Sequence, residues 1–536
     1  MAKRLTGTVC ALVCLLLGSD GVAQSPVVVW HAYRGQEEHA LQQVVSAFEA
    51  EHPGVRVRLV AQPFGAYASK LESAIPTGNG PDLFIDAHDR IESFASRGLL
   101  APIEPPDPEV FADRLEGRHR AAFTVDGAIY GYPLSVKTAA LYVNEALVSE
   151  PVSTFEQLEA LQGTLPEQTF PLAMEAESSY WTAGFFAAHG AALLNDEHGW
   201  GLHGGGALVA LRRLSGWVQD GVVPEESSGD LVKRLFSEGH AAAAISGPWL
   251  APDLPEGLRW RVQPLPVVAS TGERMRPYAT VEGAYLAARA QRPREANRFA
   301  AFLAIGEGAL IRARVARQVV TDRDAWPALE GDAFLQSFRA AADDAVIMPT
   351  HPHMRMVFGP GDRAIRKVLR GTATPEDALE EGRHRFEDVT RPLPAPRPPE
   401  WGLMVLGLLT LLGVLWMAKR LREPGFREAL RKSTPAYRYV AHAGVAVGLL
   451  VILPLVVGAL TSFFAGRGLE EMYFVGLANY ADILVARGGD LLGHGSFWLV
   501  LAVTVLWTVL NVALHLVLGV SLALLLHRPY LRMKAL

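Results

Sequence analysis

The sequence predicts an α/β domain followed by an all-α transmembrane region. Between residues 24 and about 390, short apolar strands alternate with stretches whose apolar residues recur at helical spacing, as in α/β domains. After Trp401, three long apolar blocks follow one another, and the excess in the 50% hydrophobic content of the 536 residues collects there and at the N-terminus. The chain is therefore expected to be partly soluble and partly embedded in a membrane.

The first residues have the pattern of a secretory signal peptide, expected over residues 1–23. Lys3 and Arg4 form a basic start, Val9 to Leu17 form an apolar stretch, and small residues around Ala23 suit cleavage. The apolar stretch is shorter than the roughly 20 residues of a membrane span, and a short uncleaved anchor is the alternative. Both cysteines of the chain lie in this segment, so cleavage would leave no cysteine for a disulfide or a metal site.

Strands and helices then alternate along the soluble region. The apolar run Val27–Trp30 is typical of a buried strand, and Trp30 is expected to be buried. Apolar residues recur on one face of a helix expected over Glu38–Glu51. Further strands are expected over Val55–Val60 and Leu83–Ile85, which indicates largely parallel sheets.

Three motifs occur in this region in a fixed order. They are Gly80-Pro81-Asp82-Leu83-Phe84 with Ala87-His88-Asp89-Arg90, then Ala128-Ile129-Tyr130-Gly131-Tyr132-Pro133-Leu134, then Phe236-Ser237-Glu238-Gly239 leading to Ile245-Ser246-Gly247-Pro248-Trp249. In order and spacing they resemble the periplasmic maltose/maltodextrin-binding proteins of ABC importers. The resemblance covers nearly all of residues 25–390. It implies that residues 24–390 form a two-lobed solute-binding domain with the periplasmic-binding-protein fold of type II.

The resemblance also implies a carbohydrate site made of aromatic rings and charged groups. Sugars present apolar C–H faces and a rim of hydroxyls, which suit stacking rings and charged hydrogen-bonding side chains. Asp89 and Arg90 match the family's pair that binds sugar hydroxyls, and a surface ion pair is the alternative. Trp249 is the expected stacking ring, and a packed core tryptophan is its alternative. The remaining expected ligand-binding residues are Tyr180, Trp181, Phe358, Arg34 and Lys137.

Several positions depart from the family's pattern. Asp86 stands where the family has a stacking tryptophan, Lys137 where it has a glutamate, and Ser178 where it has a second glutamate. Arg34 lies in a loop that differs from the family's, and it is expected to replace that loop's charged pair together with a nearby glutamate. These departures leave the exact sugar open, and Lys137 would suit an anionic or differently linked glycan.

The resemblance implies two further features of the lobes. One of Tyr180 and Trp181 is expected to pack in the core while the other contacts ligand. The chain is expected to cross between the lobes near Pro133–Lys137, near Pro277–Gly283 and around Leu329–Phe338.

The sequence of the C-terminal region predicts a membrane segment with a defined topology. Residues 391–400 form a proline-rich linker, expected to be a stiff spacer. A transmembrane helix is expected over residues 401–418, and a basic cytoplasmic loop over residues 419–438 by the positive-inside rule. Residues 439–536 are expected to contain two further transmembrane helices.

One stretch within this region resembles a known family of permeases. Phe474-Val475-Gly476-Leu477-Ala478-Asn479-Tyr480 is similar to the opening of maltose-type sugar permeases. The resemblance implies that residues 439–536 are the N-terminal part of a sugar permease domain, with a simple two-helix anchor as the alternative. The sequence ends at Leu536, before the family's later helices, and a fragment, a split gene and a subunit completed by another chain all remain open.

Together these features predict the substrate-binding component of a carbohydrate (maltose/maltodextrin-like) ABC importer, fused to part of its permease. It is expected in the bacterial inner membrane, with its binding domain in the periplasm. The expected partners are an oligosaccharide, the membrane, a second permease subunit and a cytoplasmic ATPase subunit, since no Walker motif occurs. A net charge of −6 gives no reason to expect nucleic acid, and no cofactor, metal or catalytic residue is expected. The alternatives are a membrane-anchored sugar sensor and a glycosidase that uses Asp89 with Glu175 or Glu177.

Overall fold

The computed structural model describes most of the chain and divides it into two compact units, residues 1–390 and 391–536. The expected signal peptide lies outside the described residues. The described ranges are 25–226, 228–466, 472–486, 491–493 and 496–527.

The strands of the first unit are short, and the chain forms them where apolar runs are bounded by turns. They are β1 (Val27–His31), β2 (Val57–Ala61), β3 (Leu83–Ala87), β4 (Thr124–Val125), β5 (Ala128–Ile129), β6 (Gly131–Thr138), β7 (Ala140–Asn144), β8 (Phe170–Ala173), β9 (Ala241–Ser246), β10 (Trp260–Gln263), β11 (Val267–Val268), β12 (Glu273–Arg274), β13 (Tyr278–Leu286), β14 (Val319–Val320) and β15 (Val346–Ile347).

Two sheets form the centres of two lobes. The first lobe has the strand order β14-β6-β13-β3-β1-β2 with β15 beside β13, and the second has β10-β7-β9-β8. Strands β1, β2 and β3 are parallel, but β13 is antiparallel to both β3 and β6. The sheets are therefore mixed, and the expectation of largely parallel sheets was wrong. Strand β13 enters from the other lobe, so no βαβ crossover fixes its direction.

Helices cover the faces of both sheets. The expected helix after β1 begins at Gln36 and buries Leu41, Val44 and Phe48 on its inner face. The helices of this unit are α1 (Gln36–Glu51), α2 (Phe64–Ala74), α3 (Ile91–Ser96), α4 (Pro108–Arg114), α5 (Gly117–Ala121), α6 (Phe155–Glu159), α7 (Ser179–Ala188), α8 (Gly204–Gln219), α9 (Gly229–Ser237), α10 (Pro293–Ala304), α11 (Glu307–Ala316), α12 (Ala333–Asp344), α13 (His353–Leu369) and α14 (Pro375–Thr390).

The chain crosses between the lobes three times. It leaves the first sheet at Ala139, between β6 and β7, and returns at Tyr278, where β13 begins. Both crossings lie within a few residues of the expected positions. The third crossing follows Ile347, about ten residues later than expected, because β15 still pairs with β13 before α13 joins the second lobe.

Each lobe has its own hydrophobic core, which supports its central sheet. Trp30 is 8% exposed and packs in a core cluster with Tyr67, Phe84 and Tyr285, as the sequence predicted. In the second lobe, buried residues of β7, β8 and β9 pack against α7, α8 and α13. Strand β9 is buried along its whole length, and four of its six residues are alanine, which lets helices approach both faces.

The second unit is mainly helical. Three of its helical segments are long and apolar enough to cross a membrane: Glu400–Arg422, Tyr439–Thr461 and Phe497–Leu526, judged over the described residues. Its elements are α15 (Glu400–Arg422), α16 (Pro424–Val447), α17 (Leu453–Thr461), β16 (Phe464–Ala465), β17 (Tyr473–Phe474), α18 (Ala478–Leu484) and α19 (Phe497–Leu526), with one π-helical turn (Gly448–Ile452) between α16 and α17.

The basic segment 419–438 differs from the expected loop. Residues up to Arg422 extend α15, and α16 begins at Pro424. Arginine, lysine, alanine and glutamate are strong helix formers, and proline suits the first turn of a helix. A charged composition therefore did not exclude helix here.

The proline-rich segment has no regular secondary structure, but it contacts the β16–β17 hairpin of the same unit. The Arg397 backbone N–H donates to the Phe474 carbonyl at 2.8 Å, and the Tyr473 hydroxyl donates to the Pro394 carbonyl at 3.0 Å. A side chain at Gly402 would lie 2.7 Å from the Phe474 ring. The C-terminal half of this segment is thus held by the hairpin rather than free.

Candidate ligand-binding site

Four aromatic side chains that the sequence predicted to bind ligand lie in one row. Trp249 contacts Trp181 with ring centroids 6.1 Å apart, Trp181 contacts Tyr180 at 5.5 Å, and Tyr180 contacts Phe358 at 6.1 Å. All three contacts are edge-to-face, an arrangement that aromatic pairs favour. We call Trp249, Trp181, Tyr180 and Phe358 the aromatic row. Trp249 is 50% exposed, whereas the other three are partly buried against the core of the second lobe.

Trp249 is presented by the turn that follows β9. The strand ends at Ser246, and the Gly247 carbonyl accepts a hydrogen bond from the buried Tyr142 hydroxyl at 2.8 Å. Pro248 then begins a 3₁₀ turn that carries the tryptophan. The indole folds back over Gly247, where a Cβ atom would overlap the ring. Glycine is therefore needed at this position for the observed pose of Trp249.

Gly247→Ala is expected to displace the Trp249 ring and to weaken saccharide binding by about tenfold, while the fold persists, because the new methyl group occupies the position of the indole. Isothermal titration calorimetry would measure the affinity and circular dichroism the fold. Gly257→Ala is the matched control, since a Cβ atom there meets nothing within 4 Å. An unchanged affinity in Gly247→Ala would show that the pose of Trp249 is not required.

Tyr180 and Trp181 are held at the start of α7 by a carboxylate from α13. Asp362 accepts hydrogen bonds from the Ser179 backbone N–H at 2.7 Å and from the Ser179 hydroxyl at 2.5 Å. Such acceptors satisfy the open N–H groups of a helix start. Asp362 therefore fixes the two rings relative to Phe358, which precedes it by one helical turn.

Glu175 lies beside the same helix start. Burial raises the pKa of Glu175, and the negative charges of Asp230 and Asp362 add to this rise, while a hydrogen bond from Trp181 opposes it. The indole N–H of Trp181 thus has an acceptor, as a partly buried tryptophan requires. Both rings pack against the core of the second lobe and are partly exposed, and which of them contacts ligand remains a prediction.

Asp89 belongs to the first lobe and contacts α13, the helix that carries Phe358 of the aromatic row. It lies in the 3₁₀ turn after β3, is only 8% exposed, and forms an ion pair with Arg355 of α13. Burial, followed by the negative charge of Asp89, raises the pKa of Tyr180 to about 12. The ion pair with Arg355, which precedes Phe358 by three residues on α13, joins the two lobes beside the aromatic row.

His88 holds the turn that carries Asp89. Its Nδ1 accepts a hydrogen bond from the Val281 backbone N–H at 3.0 Å, and its Nε2 lies 2.8 Å from the Met348 carbonyl. These contacts require a neutral imidazole with its proton on Nε2. Burial lowers the pKa of His88, in agreement with this form.

Lys137 lies between two carboxylates of the first lobe. Its Nζ is 2.9 Å from Glu37 Oε1 and 2.9 Å from Glu282 Oε1. Glu282 also accepts from the hydroxyls of Tyr33 and Ser135, each at 3.1 Å. Burial alone would lower the pKa of Lys137, but the carboxylates of Glu282 and Glu37 outweigh it and raise the pKa. The ammonium group is thus already paired, and its contact with ligand remains a prediction.

Some of the predicted ligand-binding residues lie together in the structure, and others do not. Ring contacts, the Asp89–Arg355 ion pair and the effect of Asp89 on Tyr180 connect Asp89 and the aromatic row. Arg34 is exposed in the loop after β1. Arg90 is partly exposed, and its positive charge opposes the rise that burial causes in the pKa of Asp86. No contact among the described residues links Arg34 or Lys137 to the aromatic row.

Two residues of this site, Arg355 and Asp362, were missed from the sequence, and Glu175 was considered only as a catalytic carboxylate, not as the acceptor for Trp181. Arg355 and Asp362 lie three residues before and four after Phe358, on the same helix as a predicted ring. Their i,i+3 and i,i+4 spacing places them near that ring's face of the helix, and this periodicity was the available signal. Among the described residues, no group of His, Cys, Asp or Glu has an arrangement that could hold a metal ion.

Comparison with known proteins agrees with this geometry. Residues 43–324 match the family model of the bacterial extracellular solute-binding proteins. A maltodextrin-binding protein of Bacillus subtilis is 30% identical in an alignment of 284 residues, which covers 49% of this chain and 65% of that protein, slightly less than two thirds. A maltotriose-binding protein of Pyrococcus abyssi is 26% identical over 358 residues, 64% of this chain and 77% of that protein.

A solved structure supports the same assignment. The crystal structure of a cyclo/maltodextrin-binding protein complexed with maltotetraose is similar with a TM-score of 0.63 at 27% identity, covering 69% of this chain and 98% of that chain. The two-lobed fold predicted from the sequence is therefore confirmed. The family and these relatives are binding proteins rather than enzymes, so the glycosidase alternative is wrong. The chain belongs to the family of bacterial extracellular solute-binding proteins.

Proposed function

We propose that this chain captures a maltooligosaccharide-type ligand between its lobes as the substrate-binding component of an ABC importer. The observation that carries the proposal is the aromatic row of the second lobe facing the Asp89 carboxylate of the first. The relatives bind maltodextrin and maltotriose according to their names, and the solved relative was crystallised with maltotetraose. The ligand-contact roles of Asp89, Arg90, Arg34, Lys137 and the aromatic row are part of this proposal.

The row suits an extended saccharide for physical reasons. Its partly exposed rings can cover the C–H faces of successive sugar units and remove apolar surface from water. Asp89 and Arg355 supply an acceptor and several donors for hydroxyl groups at the cleft edge. A ligand that contacts both lobes stabilises the closed arrangement only if it binds that arrangement more tightly than the open one.

We also propose that residues 439–536 are the N-terminal part of a sugar permease, joined to the receptor through residues 391–400 and the helix over residues 401–418. The three long apolar helices support this, since their side chains have no apolar cover within the described chain. In the permease-like motif, the Asn479 side chain donates to the Ser462 carbonyl at 2.8 Å and to the Phe464 carbonyl at 3.1 Å. These hydrogen bonds connect the motif to the residue after α17 and to strand β16.

The fusion implies a location and partners. The binding domain lies in the periplasm after removal of residues 1–23, and the basic segment 419–438 lies on the cytoplasmic side of the inner membrane. A second permease subunit and a cytoplasmic ATPase complete the importer. Tethering holds the receptor at a roughly millimolar local concentration near its permease, so a weak docking affinity is enough.

The full chain in lipid nanodiscs tests the receptor role by calorimetric titration with maltotriose and with cellotriose, which has β-linked units of the same size. We expect binding of maltotriose and much weaker binding of cellotriose. Absence of binding to either sugar would contradict the proposed ligand class. Sugar uptake into proteoliposomes that also contain the partner permease and ATPase tests transport separately.

A further inference from the structure

The longest apolar helix of the second unit carries most of its polar side chains on one side. Helix α19 has 30 residues, and only five of them are Ser, Thr, Asn or His. Four of the five follow one another at spacings of four, three and four residues: Thr504, Thr508, Asn511 and His515. At 3.6 residues per turn they lie within about 60° of the helix circumference, whereas Ser521 lies outside this arc. We call these four residues the polar seam.

The polar seam lies where a membrane would be most apolar. Asn511 is at the midpoint of the 30-residue helix, and the seam extends over about 16 Å of the helix axis, roughly half the thickness of a hydrocarbon core. No residue of α19 is buried within the described chain. Polar side chains at this depth are costly without hydrogen-bond partners, and they commonly mark contacts between helices. The seam therefore requires a partner.

Helix α19 itself satisfies only part of the polar seam. The Thr508 hydroxyl donates to the Thr504 carbonyl at 2.7 Å, and Asn511 Nδ2 donates to the Trp507 carbonyl at 2.9 Å. The hydroxyl and the amide both keep acceptor lone pairs, and the amide keeps a second N–H. Among the described residues, no hydrogen bond involves the side chains of Thr504 or His515. These unused donors and acceptors are available to another helix.

The other two candidate spans of the chain offer few partners for the seam. Between residues 401 and 418, Thr410 is the only Ser, Thr, Asn, Gln, His or charged residue, and its hydroxyl donates to the Leu406 carbonyl at 2.7 Å. Residues 443–460, in the middle of the second span, contain no residue of these types. The side chains that satisfy the seam are therefore expected from outside these two helices.

The shape of the polar seam indicates one neighbouring helix rather than a water-filled path. Spacings of three and four residues are those of the a and d positions in helices that pack side by side. The seam is narrow, because the apolar residues Val512 and Leu514 lie about 80° to either side of it. A path for a hydrated solute would need polar groups over a wider arc.

We propose that the polar seam is the contact through which α19 pairs in parallel with the α19 helix of a second copy of this chain. Threonine, asparagine and neutral histidine side chains can each donate and accept hydrogen bonds, so the seam is complementary to itself. Copies with the same topology place each seam residue beside its counterpart around a two-fold axis, as asparagine does in parallel coiled coils. The proposal rests on the proposed function, because it requires that α19 spans the membrane.

Replacement of Asn511 tests the pairing in the full chain, reconstituted into phosphatidylcholine vesicles. Energy transfer between donor-labelled and acceptor-labelled chains, over a series of protein-to-lipid ratios, measures the dissociation constant of the dimer. We expect Asn511→Leu to raise this constant by about tenfold, because hydrogen bonds between the helices are lost. Ser521→Leu is the matched control, since it removes a polar residue of α19 outside the seam, and it should change the constant by less than about twofold. A native chain that stays monomeric at every ratio overturns the proposal, and so does an unchanged constant in Asn511→Leu.

Disulfide cross-linking tests the orientation, in a chain that also carries Cys10→Ser and Cys14→Ser. Thr508→Cys should give cross-linked dimers, because the two copies of position 508 are adjacent in a parallel pair. Leu506→Cys, on the opposite side of α19, should not. Equal yields from both positions overturn the seam, and so do cross-links that form only to a co-expressed second permease subunit.

Extraction of the vesicles with alkaline carbonate separates failure of this proposal from failure of the proposed function. A chain that resists extraction but stays monomeric contradicts the pairing alone. A chain that carbonate releases contradicts the membrane spans of the proposed function, and the pairing with them.

Discussion

Trp249→Ala is expected to weaken binding of maltotriose by about 10- to 100-fold, because removal of the indole forfeits roughly 1–3 kcal/mol of apolar burial against the sugar. Trp249 ends the aromatic row and is half exposed without ligand, so a ligand can still cover much of its surface. The same exposure means that the fold loses little, and we expect the free energy of unfolding to change by less than about 1 kcal/mol.

Isothermal titration calorimetry of the variant, with a thermal melt of the same sample, separates these two effects. Trp249→Phe is the conservative control, since it retains a ring over Gly247 and should keep most of the affinity. Equal affinities for native chain and Trp249→Ala would remove Trp249 from the site. A large loss of stability would instead assign the indole to the core, which was the alternative interpretation of the sequence.

The members of the aromatic row were predictable from the sequence in two ways: Trp249 lies in one of the three motifs, and Tyr180, Trp181 and Phe358 follow from the resemblance to the family. The contacts that order the row were less accessible. Asp89 and Arg355 are 266 residues apart, and Asp362 and Ser179 are 183 apart. Such pairs depend on how α13 crosses to the second lobe, which begins only after β15 has paired with β13. No local pattern encodes that pairing.

The differences in the fold have the same origin. Strand β13 follows a crossover from the other lobe, so alternation of strands and helices did not reveal its antiparallel direction. In the second unit, charge patterning indicated which side of the membrane segment 419–438 faces, but it did not distinguish a loop from a helix built of strong helix formers.

Lys137 is the position where the sequence and the structure suggest different roles, and its replacement separates them. The ammonium group balances Glu37 and Glu282 at 2.9 Å each, and its side chain is 24% exposed. In Lys137→Met the methylene stem is kept, but two carboxylates face each other without a cation. We expect the receptor domain to lose about 2–4 kcal/mol of unfolding free energy, because breaking a largely buried ion pair leaves an uncompensated charge.

Chemical denaturation of Lys137→Met, Glu282→Leu and the double variant measures this coupling. If the ion pair is structural, the double variant should be more stable than the sum of the single losses predicts, since Lys137 and Glu282 are removed together and only Glu37 is left without its cation. Saccharide affinity per folded molecule should then change little in Lys137→Met. If Lys137→Met kept its free energy of unfolding but lost saccharide binding, Lys137 would instead be a ligand contact, because its ammonium group would then contribute to affinity and not to stability.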